Sequence, residues 1–293
     1  YALALPFLYW CLDKALATEL LTLLAASNYL NGLLKALCKL PRPFWFLEQL
    51  ALSHERSYGL PSGHSMNATS ILGYLAYRAP TLVRSRHART AIRYAAVAVI
   101  FLISLSRLVL GMHFVEDIVS GWLLGLLLIL GYARWRPAIG KWLASRSLVL
   151  HIALAVGVSL FVLSSYRFAL TLPGGTPTAQ AAQYQAIAQD AARQGASSSA
   201  GMILGMWIGV VAESRWVRFR VDGTVRQKAA RYLFGLVGAG IVYAGLAALL
   251  PQGNDAIGTF SRVLQPAVLL LWVTWLWPLL FVRLGLAQAY PKQ

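Results

Sequence analysis

His113 and Asp117 stand four residues apart in SLSRLVLGMHFVEDIVSG, residues 104–121. On a helix that spacing places one side chain above the other. The carboxylate then accepts a proton from one imidazole nitrogen and leaves the other free as a nucleophile. This is the base-orienting logic of the serine-protease triad, with histidine itself as the attacking group. A buried structural His–Asp pair is the alternative. Arg107 lies just upstream, separated from the pair by the helix-breaking Gly111.

A second cluster is YGLPSGHSMNATS, residues 58–70. Gly59, Pro61 and Gly63 make a turn, and the apolar run after His64 begins a helix. Ser62, Gly63 and His64 therefore fall at a helix N-terminus, where free N–H groups and the helix dipole attract an anion. Ordinary capping explains Ser62 but not a histidine at the entrance of an apolar run. The third cluster, KALCKLPRPF (35–44), ends an apolar helix with Lys35 and holds Arg42 between Pro41 and Pro43. The prolines stop the helix and let Arg42 turn back towards Lys35, so that two cations are fixed together. Snorkelling at a span end is the rival reading. Three cations, a helix N-terminus, a His–Asp pair and a second histidine are the equipment of phosphoryl transfer, which requires positioning and neutralisation of oxygen charge.

The elements that carry these clusters are built for lipid. Of 293 residues, 58% are hydrophobic and 12% charged, against roughly 25% charged in a soluble domain. The polar residues gather in short connectors between long apolar runs, which implies an all-α, polytopic transmembrane helical bundle. The runs predict a partial span at 1–12 and spans near 15–38, 64–80, 91–108, 115–134, 147–166, 199–214, 230–250 and 263–283. The chain begins on Tyr1 inside an apolar stretch, so residues are expected upstream. The net charge of +16 does not indicate nucleic acid, because the basic residues cluster in alternate connectors. Connectors 78–93, 134–146 and 215–231 carry most of them and are expected to face the cytoplasm. All three chemical clusters then fall on the opposite side, facing the periplasm, the exterior or an organelle lumen.

Cys11 and Cys38 offer no disulfide framework or cysteine metal site and are read as packing residues. Trp10, Trp135, Trp142 and Trp216 near span ends suit an interfacial belt. The spacings Gly121/Gly125 and Gly201/Gly205 suit close helix packing. The Ala- and Gln-rich segment 176–199 reads as a spacer or a lid with a short helix.

Lys35-x6-Arg42-Pro43, Pro61-Ser62-Gly63-His64 and Ser106-Arg107-x5-His113-x3-Asp117 resemble, in order and without departure at a motif position, the three signature motifs of the type-2 phosphatidic acid phosphatase family. The resemblance covers about residues 15–135. It implies a membrane helical bundle with its site at one face, and hydrolysis without a metal or other cofactor. By resemblance His113 attacks phosphorus, Asp117 orients it, and His64 protonates the leaving oxygen. Lys35, Arg42, Arg107, Ser62 and the Gly63 N–H hold the phosphate. The implied organisation is a six-helix phosphatase core in 1–166, a connector in 167–198 and extra spans in 199–293. The YGLPSGH and LGMHFVED wording and the extra spans look more like the sphingosine-phosphate phosphatase branch than the short undecaprenyl-pyrophosphate phosphatases.

The implied partners are a phosphorylated lipid and the bilayer. A neutral His113 with a protonated His64 implies a bell-shaped pH profile. A lipid pyrophosphatase or phosphotransferase would use the same constellation. An anionic-lipid transporter would need polar residues continuing across the bilayer. Glu116 points away from Asp117 on a helix and receives no role. His54, Glu55, Arg56 and Tyr58 read as loop residues that either touch a headgroup or are merely solvated. His87 and His151 fall on the wrong side, and Glu213 has no assigned part.

Overall fold

Every apolar run in the sequence is helical in the computed structural model, which describes residues 1–47, 49, 52–174, 179–251, 253 and 255–291. Among the described residues, the extended pairing is an isolated bridge between Phe219 and Ala289. The helices are α1 (Ala4–Cys11), α2 (Lys14–Cys38), α3 (Gly63–Ala68), α4 (Tyr74–Leu82), α5 (Arg86–Val109), α6 (Val115–Ala144), α7 (Leu148–Thr171), α8 (Ala179–Ala212), α9 (Val225–Leu249), α10 (Ala256–Leu271) and α11 (Trp277–Arg283). A π turn at Thr69–Gly73 joins α3 to α4, and another at Trp272–Leu276 joins α10 to α11.

Among the described residues, seven helical stretches are long and apolar enough to cross a membrane. The two other expected spans are helices that do not meet that measure. The run 1–12 yields only the eight residues of α1. The run 64–80 becomes α3–α4, which carries His64, Ser65, Asn67, Thr69, Ser70 and Arg78 along its length.

The chain forms two compact units. The first comprises Tyr1–Thr22, Trp142–Leu163 and Ser197–Gln293. Its core gathers Tyr9, Trp10, Phe219, Trp277 and Phe281. A π turn leaves carbonyls out of the regular helical ladder. In this unit Trp10 Nε1 donates to Val273 O (2.8 Å) and Tyr9 Oη to Thr274 O (3.0 Å), both within such a turn. Trp10 is therefore a fully buried core residue and not part of an interfacial belt, while Trp135, Trp142 and Trp216 are exposed as that reading requires. Glu213 gains an explanation too. It accepts from Lys14 Nζ at 2.8 Å and from the Phe219 N–H at 3.0 Å, tying two distant segments with a paired, buried charge. The spacing Gly201/Gly205 does the close packing expected of it, since a Cβ there would meet Val263 O and Ala267 O at 2.1 Å.

The second unit comprises Leu23–Lys141 and Ser164–Ala196 and contains all three clusters. Its helices approach closely where α6 is smallest. A Cβ on Gly121 would meet Ser62 O at 2.9 Å, and one on Gly125 would meet the Thr69 Cβ at 2.7 Å. Replacing either glycine would push α3 and the residues that begin it off α6. The segment 176–199 belongs largely to α8, which runs unbroken into the next expected span; residues 176–178 lie outside the described ones. Tyr184 on α8 stacks on Trp45 with centroids 5.6 Å apart and meets Phe44 edge-on at 5.6 Å. Cys11 is buried as a packing residue should be, but Cys38 is exposed at the end of α2.

Candidate active site

Turns of the chain bring the clusters together. The 3-10 turn Pro43–Trp45 begins at Arg42, and burial of Phe44 and Trp45 against Tyr58 and Tyr184 fixes the direction in which Arg42 leaves α2. Lys39, with a left-handed φ of 51°, is buried and donates to the carbonyls of Leu170 and Leu172 at the C-terminus of α7, where a cation is favoured. That contact explains one cation outside the basic connectors. Gly111 has φ 65°, a conformation that suits glycine, and reverses the chain between α5 and α6 so that His113 arrives beside Asp117.

His113 Nδ1 lies 3.0 Å from Asp117 Oδ2, which also accepts the Phe114 N–H at 3.0 Å. His113 Nε2 lies 3.2 Å from Arg42 Nη1. A guanidinium donates and never accepts, so Nε2 must carry the lone pair and Nδ1 the proton. The tautomer is thus fixed by chemistry at both ends of the ring. The nitrogen expected to be free is instead capped by Arg42. Asp117 is buried and Glu116 exposed.

Arg42 is fully buried. Its guanidinium donates to Ser57 O (2.6 Å), Ser57 Oγ (2.9 Å), Met112 O (2.9 Å), Tyr58 O (3.1 Å) and the Glu55 carboxylate. Lys35 is also buried, with Nζ donating to Gly59 O at 2.9 Å and to Tyr58 O. Neither side chain snorkels; both point into the cluster. Arg107 is half-buried, donates to Ser106 Oγ (3.2 Å) and Met112 Sδ (3.6 Å), and has no carboxylate partner among the described residues. Its charge is the one most available to an anion.

The helix over the second cluster begins at Gly63, with Ser62 as its N-cap, as the turn residues predict. Asn31 Nδ2 holds the approach by donating to Pro61 O at 3.0 Å, and the Ser62 N–H donates to Asp117 O at 2.8 Å. The helix N-terminus and the His–Asp pair are therefore bonded to each other directly. His64 is half exposed, with Nδ1 3.5 Å from Glu55 Oε1. Glu55 bridges Arg42 and His64, so a residue left unassigned from sequence links the first cluster to the second. Only an acidic residue nine positions before His64 hinted at it. Asn31, Ser65, Ser104 and Trp122 also escaped sequence reasoning, being ordinary residue types on apolar helices.

The electrostatics follow from burial and the crowd of cations. Burial pushes the Glu55 carboxyl up, but Arg42, then Lys35 and the two histidines, outweigh it and hold its pKa below the ordinary value. Burial first, then Arg42 and Lys35, lower the His113 pKa to about 2. An imidazole whose pKa falls so far sheds its proton as pH rises past about 2, so His113 is neutral throughout the working range. Nitrogen NMR of the histidine-labelled protein should show its ring unchanged between about pH 4 and 8, where an ordinary histidine titrates near 6.5. A midpoint near that ordinary value would contradict the arrangement.

The chain matches the PAP2 superfamily over residues 16–141 and the transmembrane extension of PAP2 superfamily phosphatases over residues 197–289. It is similar to lipid phosphate phosphatase delta of Arabidopsis thaliana, 32% identical over 139 residues that make up 44% of this chain and 33% of that protein. It is similar to phosphatidylglycerophosphatase B of Bacillus subtilis, 37% identical over 113 residues, 37% of this chain and 52% of that protein. Sphingosine-1-phosphate phosphatase 2 of Homo sapiens is 33% identical over 142 residues, 46% of this chain and 34% of that protein. The chain thus spans about a third to a half of the length of these curated relatives. No solved structure gives a significant match. With the superfamily's own domain over the three clusters and its transmembrane extension over the last helices, the chain belongs to the PAP2 superfamily.

Proposed function

We propose that this chain is an integral membrane lipid phosphatase that hydrolyses a lipid phosphomonoester through a phosphohistidine on His113, without a metal. The observation that carries the reading is the fixed tautomer of His113, with Nδ1–H on Asp117 and the Nε2 lone pair facing Arg42. The Nε2 lone pair attacks phosphorus as Arg42 shifts its hydrogen bond to a phosphate oxygen. The bond from phosphorus to the lipid oxygen breaks, and His64 gives that oxygen its proton. Water then attacks phosphorus, His64 takes the water's proton, and the P–N electron pair returns to Nε2 as inorganic phosphate leaves. Lys35, Arg42, Arg107, the Ser62 hydroxyl and the Gly63 N–H neutralise and hold the oxygens.

His64 needs its proton at the start. Burial holds its pKa below the ordinary value; Glu55 favours the proton and offsets part of that, while Arg107, Arg42 and Lys35 oppose it. A phosphate dianion entering the site adds its charge to the Glu55 side, so substrate binding itself arms the acid.

The relatives named for lipid phosphates and sphingosine 1-phosphate support a lipid phosphomonoester as substrate. The concentration of Arg and Lys in connectors 78–93, 134–146 and 215–231 supports an extracytoplasmic site in a multi-pass membrane protein. Residues 35–117 hold every proposed site residue, which supports 1–166 as the catalytic part, with 167–198 as connector and 199–293 adding spans to the same membrane domain. The test is phosphate release by the full chain from phosphatidate, lysophosphatidate, sphingosine phosphate, phosphatidylglycerol phosphate and undecaprenyl pyrophosphate, with and without chelator. Release from a phosphomonoester, unchanged by chelation and blocked by vanadate, is expected. No release from any of them would refute the function, and loss on chelation would refute the metal-free mechanism.

A further inference from the structure

Four buried or half-buried side chains form a line of hydrogen bonds that ends on Ser62. Trp122 Nε1 on α6 donates to Ser104 Oγ on α5 at 2.8 Å. Ser104 Oγ lies 3.0 Å from Ser65 Oγ, and Ser65 Oγ lies 3.2 Å from Ser62 Oγ. Ser62 and Ser65 are fully buried and Ser104 is 1% exposed, so water does not compete along this line.

The direction of the line is set bond by bond. An indole N–H can only donate. Ser104 Oγ accepts from Trp122 and donates to Ser65 Oγ, which in turn donates to Ser62 Oγ. Ser62 Oγ also takes the Ser65 N–H at 3.5 Å, which occupies its second lone pair. What remains on Ser62 is its proton. We infer that Trp122, Ser104 and Ser65 are positioning residues whose one-way relay makes the Ser62 hydroxyl a committed donor to an unprotonated phosphate oxygen.

This inference rests on the proposed role of Ser62 in holding phosphate. Each hydroxyl in such a chain polarises the next, so the terminal donor is stronger than an isolated serine. Without the indole N–H the Ser104 hydroxyl loses the donor that polarises it, and without the Ser104 hydroxyl Ser65 loses its donor and can accept the Ser62 proton instead. A donor aimed at where phosphate charge sits costs nothing to reorganise when the ligand arrives.

The test is binding of inorganic phosphate to the full chain in lipid nanodiscs, measured by calorimetry. Ser104→Ala and Trp122→Phe should each weaken phosphate binding, Ser104→Ala by about tenfold, in the range of a hydrogen bond to a charged group. Ser104→Thr keeps the hydroxyl and should restore it. In a Ser62→Ala background Ser104→Ala should change binding by less than about twofold, because the relay then has nothing to aim. An equal loss in both backgrounds would mark Ser104 as merely structural and overturn the relay, as would no loss in the wild-type background. Because the readout is phosphate binding, a wild-type chain that releases no phosphate from any lipid refutes the proposed function and leaves this relay standing. Phosphate binding insensitive to Ser104 refutes the relay alone.

Discussion

Replacing His113 by Ala lowers phosphate release by roughly 10⁵-fold or more, the scale on which removing an activated nucleophile acts. The fold should survive the change. Asp117 keeps the Phe114 N–H, and Arg42 keeps Ser57, Tyr58, Met112 and Glu55 as acceptors. No buried charge is stranded, so the cost is that of one hydrogen-bonded side chain, about 1–3 kcal/mol. The measurement is turnover beside thermal unfolding of the same preparation. A variant that folds and still hydrolyses lipid phosphate at a tenth of the normal rate would mean that another group attacks.

Asp117→Asn has the second largest expected effect, and the geometry sets its size. Loss of the corresponding aspartate in a serine-protease triad costs about 10⁴-fold because the histidine takes the wrong tautomer. Here both donors, His113 Nδ1–H and Phe114 N–H, converge on one oxygen, Oδ2. An asparagine can present its single carbonyl oxygen to both, and Arg42 still holds the Nε2 lone pair from the far side. The tautomer is kept, and what is lost is the negative charge that offsets the positive charge gained by the phosphorylated imidazole. The expected fall in kcat is therefore about 10²–10³-fold, the scale for removing one preorganised electrostatic contact. Asp117→Ala, which removes the oxygen as well, should fall further. Equal losses in the two variants would mean that orientation, not charge, is what Asp117 supplies.

Much of the site was legible because its key contacts are local. The pairing of His113 with Asp117 was legible from their spacing, although His113 precedes α6 and meets Asp117 from the turn before its first residue and not from a shared helix face. The cap at Ser62 was legible from the turn residues before it. The helix runs were legible for the same reason, and Gly121/Gly125 announced the close approach of α6 to α3. The rest depends on contacts made across the fold. Arg42 reaches Met112 across 70 residues, and Ser104 reaches Ser65 across 39. Such distances leave no periodic trace. Glu55 sits in a polar loop, where an acidic residue is usually solvated, so its bridge between Arg42 and His64 had no local sign. Trp10 misled because an aromatic near the end of an apolar run is as well suited to a buried core as to a membrane interface. Cys38 was misread for the opposite reason, since its apolar neighbours hid a position on the outer face of the last turn of α2.

The most direct test of the central claim is rapid quenching of the protein with a lipid monophosphate labelled with radioactive phosphorus. His113 should carry the label on Nε2 within the first turnover, in a bond that survives alkali and breaks in acid, and the His113→Ala protein should carry none. Steady release of phosphate with no label on His113 at any time would contradict a phosphohistidine mechanism.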